Sequence, residues 1–73
     1  MKIPIFISES LDNANVTVRV YNSLGKEVAT LLDGRFSKGY HVLNWKPKEP
    51  AGLYIVTLKV GPGAEKRVKL IIQ

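Results

Sequence analysis

Cysteine is absent from these 73 residues. Its absence excludes a disulfide framework and any thiolate metal site, but it does not fix the compartment. Histidine occurs once. Zinc takes three or four His, Cys or carboxylate ligands, so His41 alone cannot supply a zinc site. No apolar run approaches the ~20 residues that cross a bilayer as a helix, and no segment carries a helical period over a useful length. Met1-Lys2-Ile3-Pro4 lacks the long apolar core and small-residue cleavage site of a signal peptide. Acidic residues are scarce, six against eleven basic ones, for a net charge of +5. Asp12, Asn13 and Asn15 could offer oxygens to calcium, but they fall short of the carboxylate count of a calcium cage.

What is present is strand. Val16, Val18 and Val20 point one way, with Thr17, Arg19 and Tyr21 the other, a period of two built on β-branched residues. Ile3, Ile5 and Ile7 alternate near 2–8, with Pro4 marking an edge or a strand start. Leu11 to Asn15 reads as a polar loop. Asn22-Ser23-Leu24-Gly25 is a turn in which Gly25 can take a positive φ. A strand follows from Glu27 to Leu32, brief enough and sufficiently enclosed by Gly turns to reject a helix despite Ala29, Leu31 and Leu32. Asp33-Gly34 is a second turn signal, and Arg35-Phe36-Ser37 a short strand or extended link. His41, Leu43 and Trp45 share one face, with Tyr40, Val42 and Asn44 opposite. The two prolines of Lys46 to Pro50 make a loop. Tyr54, Val56, Leu58 and Val60 alternate from Gly52 onward. Gly61-Pro62-Gly63 is a turn, and Val68, Leu70 and Ile72 alternate in the last strand. About seven short strands at this spacing imply an all-β, antiparallel sandwich or small barrel. The apolar fraction is 45%, ordinary for a globular domain. Residues 1–73 read as one domain, a module of a longer protein.

Chemistry is thinly represented. Nucleophilic catalysis needs a base beside a Ser or Cys. No nucleophile motif surrounds Ser8, Ser10, Ser23 or Ser37, and His41 shares its strand face with Leu43 and Trp45, as a packed sheet histidine does. The carboxylates sit near turns or strand ends, and so short a sandwich lacks the volume for a glycosidase cleft. No phosphate-cradling loop precedes a helix. Asn15-Val16-Thr17 fits a glycosylation sequon, a pattern common by chance. The expectation is a non-enzymatic domain without cofactor or metal. The basic residues are spread along the chain, with only Lys66-Arg67-Val68-Lys69 clustered. On a strand these split between two faces, where lysine also discourages edge-to-edge aggregation. They are read as solvated charge rather than a nucleic-acid site.

Val18 to Leu31 is similar to the "V-x-V-Y-D-x-L-G-R-E-V-x-T-L" segment of type IX secretion C-terminal sorting domains. Asp33-Gly34, Gly39, His41 and Trp45 resemble that family's "G…G-x-H-x-x-x-W" run, and Ala51-Gly52-Leu53-Tyr54 its "(S/A)-G-x-Y". Lys66 to Ile72 resembles its basic, then apolar, final strand. The Ig-like domain of flagellar hook-capping proteins shares much of this pattern. The resemblance covers roughly Ile5 to Gln73. It departs from the family in lacking an opening "Y-P-N-P-F" run and in carrying Lys46-Pro47-Lys48 where Asp-Gly usually follows the Trp.

The resemblance implies an all-β, Ig-like antiparallel β-sandwich that serves as a sorting signal at the C-terminus of an exported protein, read by the translocon of a Gram-negative-type bacterium. Its cargo reaches the cell surface or the extracellular space, and in the family can be cleaved and attached to lipopolysaccharide. The implied partner is a protein component of the secretion machinery. The signature falls on Gly52, Tyr54, Lys66, Val68, Lys69, Leu70 and Ile72. Gly52 is expected to start its strand where the chain turns tightly, and Tyr54 to pack inward with its hydroxyl on a backbone group. Two alternatives stand beside this reading: a structural Ig-like module of a hook-capping or surface protein, and a carbohydrate-binding module using Tyr21, Tyr40 or Trp45. Exposed edges also make edge-strand self-association available.

Overall fold

The computed structural model describes residues 1–63 and 65–73. Among them six strands form: β1 (Lys2–Ile7), β2 (Ala14–Asn22), β3 (Glu27–Phe36), β4 (Gly39–Asn44), β5 (Gly52–Val60) and β6 (Glu65–Ile72). One 3-10 turn covers Glu9–Leu11. β1 and β4 pair as a two-stranded sheet, and β3-β2-β5-β6 form a four-stranded sheet, with every pairing antiparallel. The two layers enclose one core, so the chain is the antiparallel β-sandwich that its alternation implied. No helix among the described residues is long and apolar enough to cross a membrane, which says nothing of a β-barrel.

Strand phase decides what the core contains. Val16, Val18 and Val20 are almost wholly buried, while Thr17, Arg19 and Tyr21 face out from the same strand. Burying a valine side chain contributes roughly 1.5–3 kcal/mol, so β2 is the spine of the sandwich. β1 adds Ile5 and Ile7, β5 adds Tyr54 and Val56, and β6 adds Ile72. Leu43 and Trp45 pack against this cluster in a half-buried state, the phase expected of them.

Asp33-Gly34 is not a turn. β3 continues through it to Phe36, with Asp33 opposite Thr17 and Gly34 opposite Val16. β2 begins at Ala14, earlier than the polar loop suggested, and supplies the partner that overrides the local turn preference. β3 thus absorbs Arg35-Phe36, which local signals divide from the Glu27–Leu32 strand. The irregular apolar spacing of β3 also has a cause. The register against β2 shifts between Val18 and Arg19 and again between Val20 and Tyr21, leaving Leu31 and Val28 unpaired. Such bulges let Leu31 and Leu32, and Val28 and Ala29, all pack against one core.

The β2–β3 turn is well bonded. The Asn22 Oδ1 atom accepts from the backbone N–H groups of Leu24 and Lys26, both at 3.0 Å. Gly25 sits at φ 84°, a conformation that a side chain would strain. At the β3–β4 corner, Lys38 N–H donates to Asp12 Oδ1 at 2.7 Å, and the Lys38 ammonium lies 3.4 Å from Glu9.

Candidate functional site

The Gly61-Pro62-Gly63 turn returns the chain from β5 into β6, with Gly61 N–H bonded to the Asn15 carbonyl at 2.7 Å. Among the described residues, β6 is the outer strand of its sheet and pairs only with β5. The register sets Gly52 opposite Ile72, Tyr54 opposite Leu70, Val56 opposite Val68, Ile55 opposite Lys69 and Leu58 opposite Lys66. Residues facing each other across an antiparallel pair share a face. Lys66, Val68, Leu70 and Ile72 therefore line the inner side, while Arg67, Lys69 and Ile71 line the outer side.

The seven signature residues divide accordingly. Gly52, Tyr54, Leu70 and Ile72 gather at one end of the β5–β6 ladder, where Tyr54 and Ile72 are each 6% exposed and belong to the core. The Tyr54 ring packs inward and its hydroxyl donates to the Pro50 carbonyl at 2.7 Å. This bond to a backbone group a few residues upstream is the device that immunoglobulin-type sandwiches use at a strand start. Gly52 begins β5 as expected, with its Cβ position 4.0 Å from the Tyr54 ring. Lys66, Val68 and Lys69 are exposed, Val68 by 63% despite its inner phase. The two-stranded sheet is too narrow to cover Lys66 and Val68, and Lys69 lies on the outer face. These three residues can meet a partner directly, while the other four shape the strand that presents them.

The charge of β6 is only partly compensated. Arg67 pairs with Glu65 at 3.3 Å, whereas Lys66 and Lys69 enter no ion pair among the described residues. Between β1 and β6 the inner face of the larger sheet lies open as a groove of about 400 Å³, walled by Ile3, Ile5, Val68 and Leu70. A second hollow of about 500 Å³ lies on the outer face beside Tyr21, Ile55 and Arg67.

The ring residues weighed for sugar stacking do not converge. Tyr21 stands on the outer face of the four-stranded sheet, Tyr40 on the outer face of the two-stranded sheet, and Trp45 against the core between them. The exposed neighbour of Tyr40 is Phe6, its cross-strand partner. The inward phase of Ile5 and Ile7 carried that signal in the sequence. His41 lies edge-on to Phe36 at 5.1 Å between ring centres. Its Nε2 is 2.8 Å from the Ser37 carbonyl. A carbonyl only accepts, so Nε2 carries the proton and donates. Among the described residues, no group of three or more His, Asp or Glu side chains could hold a metal ion.

Neither the family models, the curated proteins nor the solved structures compared with this chain gave a match.

Proposed function

We propose that this domain is a non-catalytic sorting signal, recognised as a folded surface by the type IX secretion machinery of a Gram-negative-type bacterium and carrying its cargo to the cell surface or beyond. The observation that carries the reading is the placement of β6. It is an outer strand bonded on one side, with Lys66, Val68 and Lys69 exposed along it. An edge of this kind can add a partner strand through its backbone while its charges restrict which partner joins. The segments from Val18 to Leu31 and from Ala51 to Tyr54 that resemble sorting domains give the recognition its proposed context. Within them, Tyr54 acts by fixing β5 and hence β6.

The test is export of a reporter carrying a signal peptide at its start and this domain at its end, in a host with a type IX system. Deleting Lys69 to Gln73 is expected to strand the reporter in the periplasm. That deletion also removes the buried Ile72, so a folding defect could mimic it. Reversing Lys66 and Lys69 to glutamate alters exposed side chains alone. Periplasmic retention of this folded double variant supports the reading, and unchanged secretion rejects it. A second reading, a structural module of a hook-capping or surface protein, draws on the exposed Phe6, Tyr40 and Val42 of the two-stranded sheet. That face would suit packing against a neighbouring domain.

A further inference from the structure

The groove between β1 and β6 has both a floor and an open backbone edge. Met1 and Trp45 exchange two hydrogen bonds, each 2.8 Å. Hydrogen-bonded and non-bonded pairs alternate along an antiparallel ladder. The backbone groups of Ile3, Ile5 and Ile7 therefore turn toward β4, and those of Lys2, Pro4 and Phe6 turn toward the open edge. The groove is lined by β1 and not by β4, so this open edge faces it. Val56 and Leu58 form its floor, and Val68 and Leu70 its far wall. A strand laid along β1 would find two donors, on Lys2 and Phe6, and three carbonyls. It would place every second side chain over an apolar surface. Pro4 offers no donor, which restricts the register such a strand can take.

We infer that this groove takes an extended segment of another protein, in which apolar residues alternate with carboxylates, added as a strand to the free edge of β1. Charge selects this occupant. The charged residues at the groove are Lys2 and Lys69, with no acid among its lining residues, and because the Lys69 side chain leaves by the outer face of the larger sheet, Lys2 is the cation within reach of a strand added to β1. Lys2 has the outward phase of β1, so a carboxylate facing outward from the added strand lies beside it. A second copy of the chain would instead bring its own net charge of +5 to a slot that has Lys2 beside it and no acid in its lining. The groove shares Val68 and Lys69 with β6, but the added strand bonds to the free edge of β1 and not to the open edge of β6. Binding by the purified domain and export of a cargo are separate readouts, so either reading can fail alone.

The probe is a short end-capped peptide alternating valine with glutamate, titrated into the isotope-labelled chain by NMR. A valine–lysine peptide serves as control. Saturable shifts at Lys2, Phe6, Val68 and Leu70 are expected for the glutamate peptide, with binding weakened at least about tenfold for the lysine peptide. Val68→Glu, which puts a carboxylate on the groove wall, is expected to abolish binding. Lys2→Glu is expected to reverse the preference between the peptides, and it decides the matter if Val68→Glu fails to fold. Equal response to both peptides, shifts centred on the Tyr21 hollow, or no saturable binding would overturn the inference. So would a dimer in light scattering that Val68→Glu returns to monomer, because a second copy would then be the occupant.

Discussion

Tyr54→Phe isolates one hydroxyl. The Tyr54 ring is 6% exposed, and its hydroxyl donates to the Pro50 carbonyl at 2.7 Å. Phenylalanine keeps the ring and its contacts with the core while removing that bond. A net intramolecular hydrogen bond contributes about 0.5–1.5 kcal/mol, so about 1 kcal/mol should be lost. For a domain of this size that corresponds to a fall in Tm of about 4–8 °C. The bond ties the proline-containing loop to the start of β5, so amide exchange at Lys46, Lys48 and Glu49 should quicken more than exchange in β2. Tyr54→Ala removes the ring as well and should cost about 3–5 kcal/mol, as large aromatic truncations do. At roughly 0.05–0.15 kcal/mol per residue the whole domain holds only about 4–11 kcal/mol, so the alanine variant should lose a large share of the domain's stability. Urea titration followed by Trp45 fluorescence reads both variants. A Tyr54→Phe midpoint indistinguishable from the parent would refute the role assigned to this hydroxyl.

Three further outcomes follow from burial and bonding. Val18→Ala should cost about 1.5–3 kcal/mol in urea titration, whereas Val68→Ala should cost under about 0.5 kcal/mol. Both valines have the inner phase, but Val18 is 1% exposed and Val68 is 63% exposed. Asn22→Ala frees the N–H groups of Leu24 and Lys26 and should cost about 1 kcal/mol, measured by thermal unfolding. Glu27→Gln breaks the 3.1 Å pair with Arg19, whose side chains are 40% and 45% exposed. It should change stability by less than about 1 kcal/mol, and by less still in high salt.

The layers were legible wherever alternation was strict. Val16, Val18 and Val20, the isoleucines of β1 and the Tyr54 to Val60 series each declared an inward face, and the structure buries these residues except Ile3, Leu58 and Val60, which it half-buries. β3 was harder. Its paired bulges place consecutive apolar residues on one side, so neither a period of two nor one of 3.6 describes it. Asp33-Gly34 carried a strong local turn signal, yet a partner strand contributed by distant residues prevailed. The phase of Val68 was readable but its exposure was not, because exposure depends on how far the two-stranded sheet extends across the larger one. The groove beside β1 follows from that width and from pairing between residues far apart in sequence, which no local pattern encodes. Phe6 beside Tyr40 was within reach of phase alone.

The proposed recognition through β6 rests on its being bonded, among the described residues, to β5 on one side and open on the other. Amide hydrogen exchange of the free domain tests this most directly. Every second amide from Lys66 to Ile72, the set directed at β5, should be strongly protected, while the intervening amides exchange at rates close to those of exposed loops. Equal protection of both sets would show that the outer edge of β6 is already occupied, and no partner strand could add there.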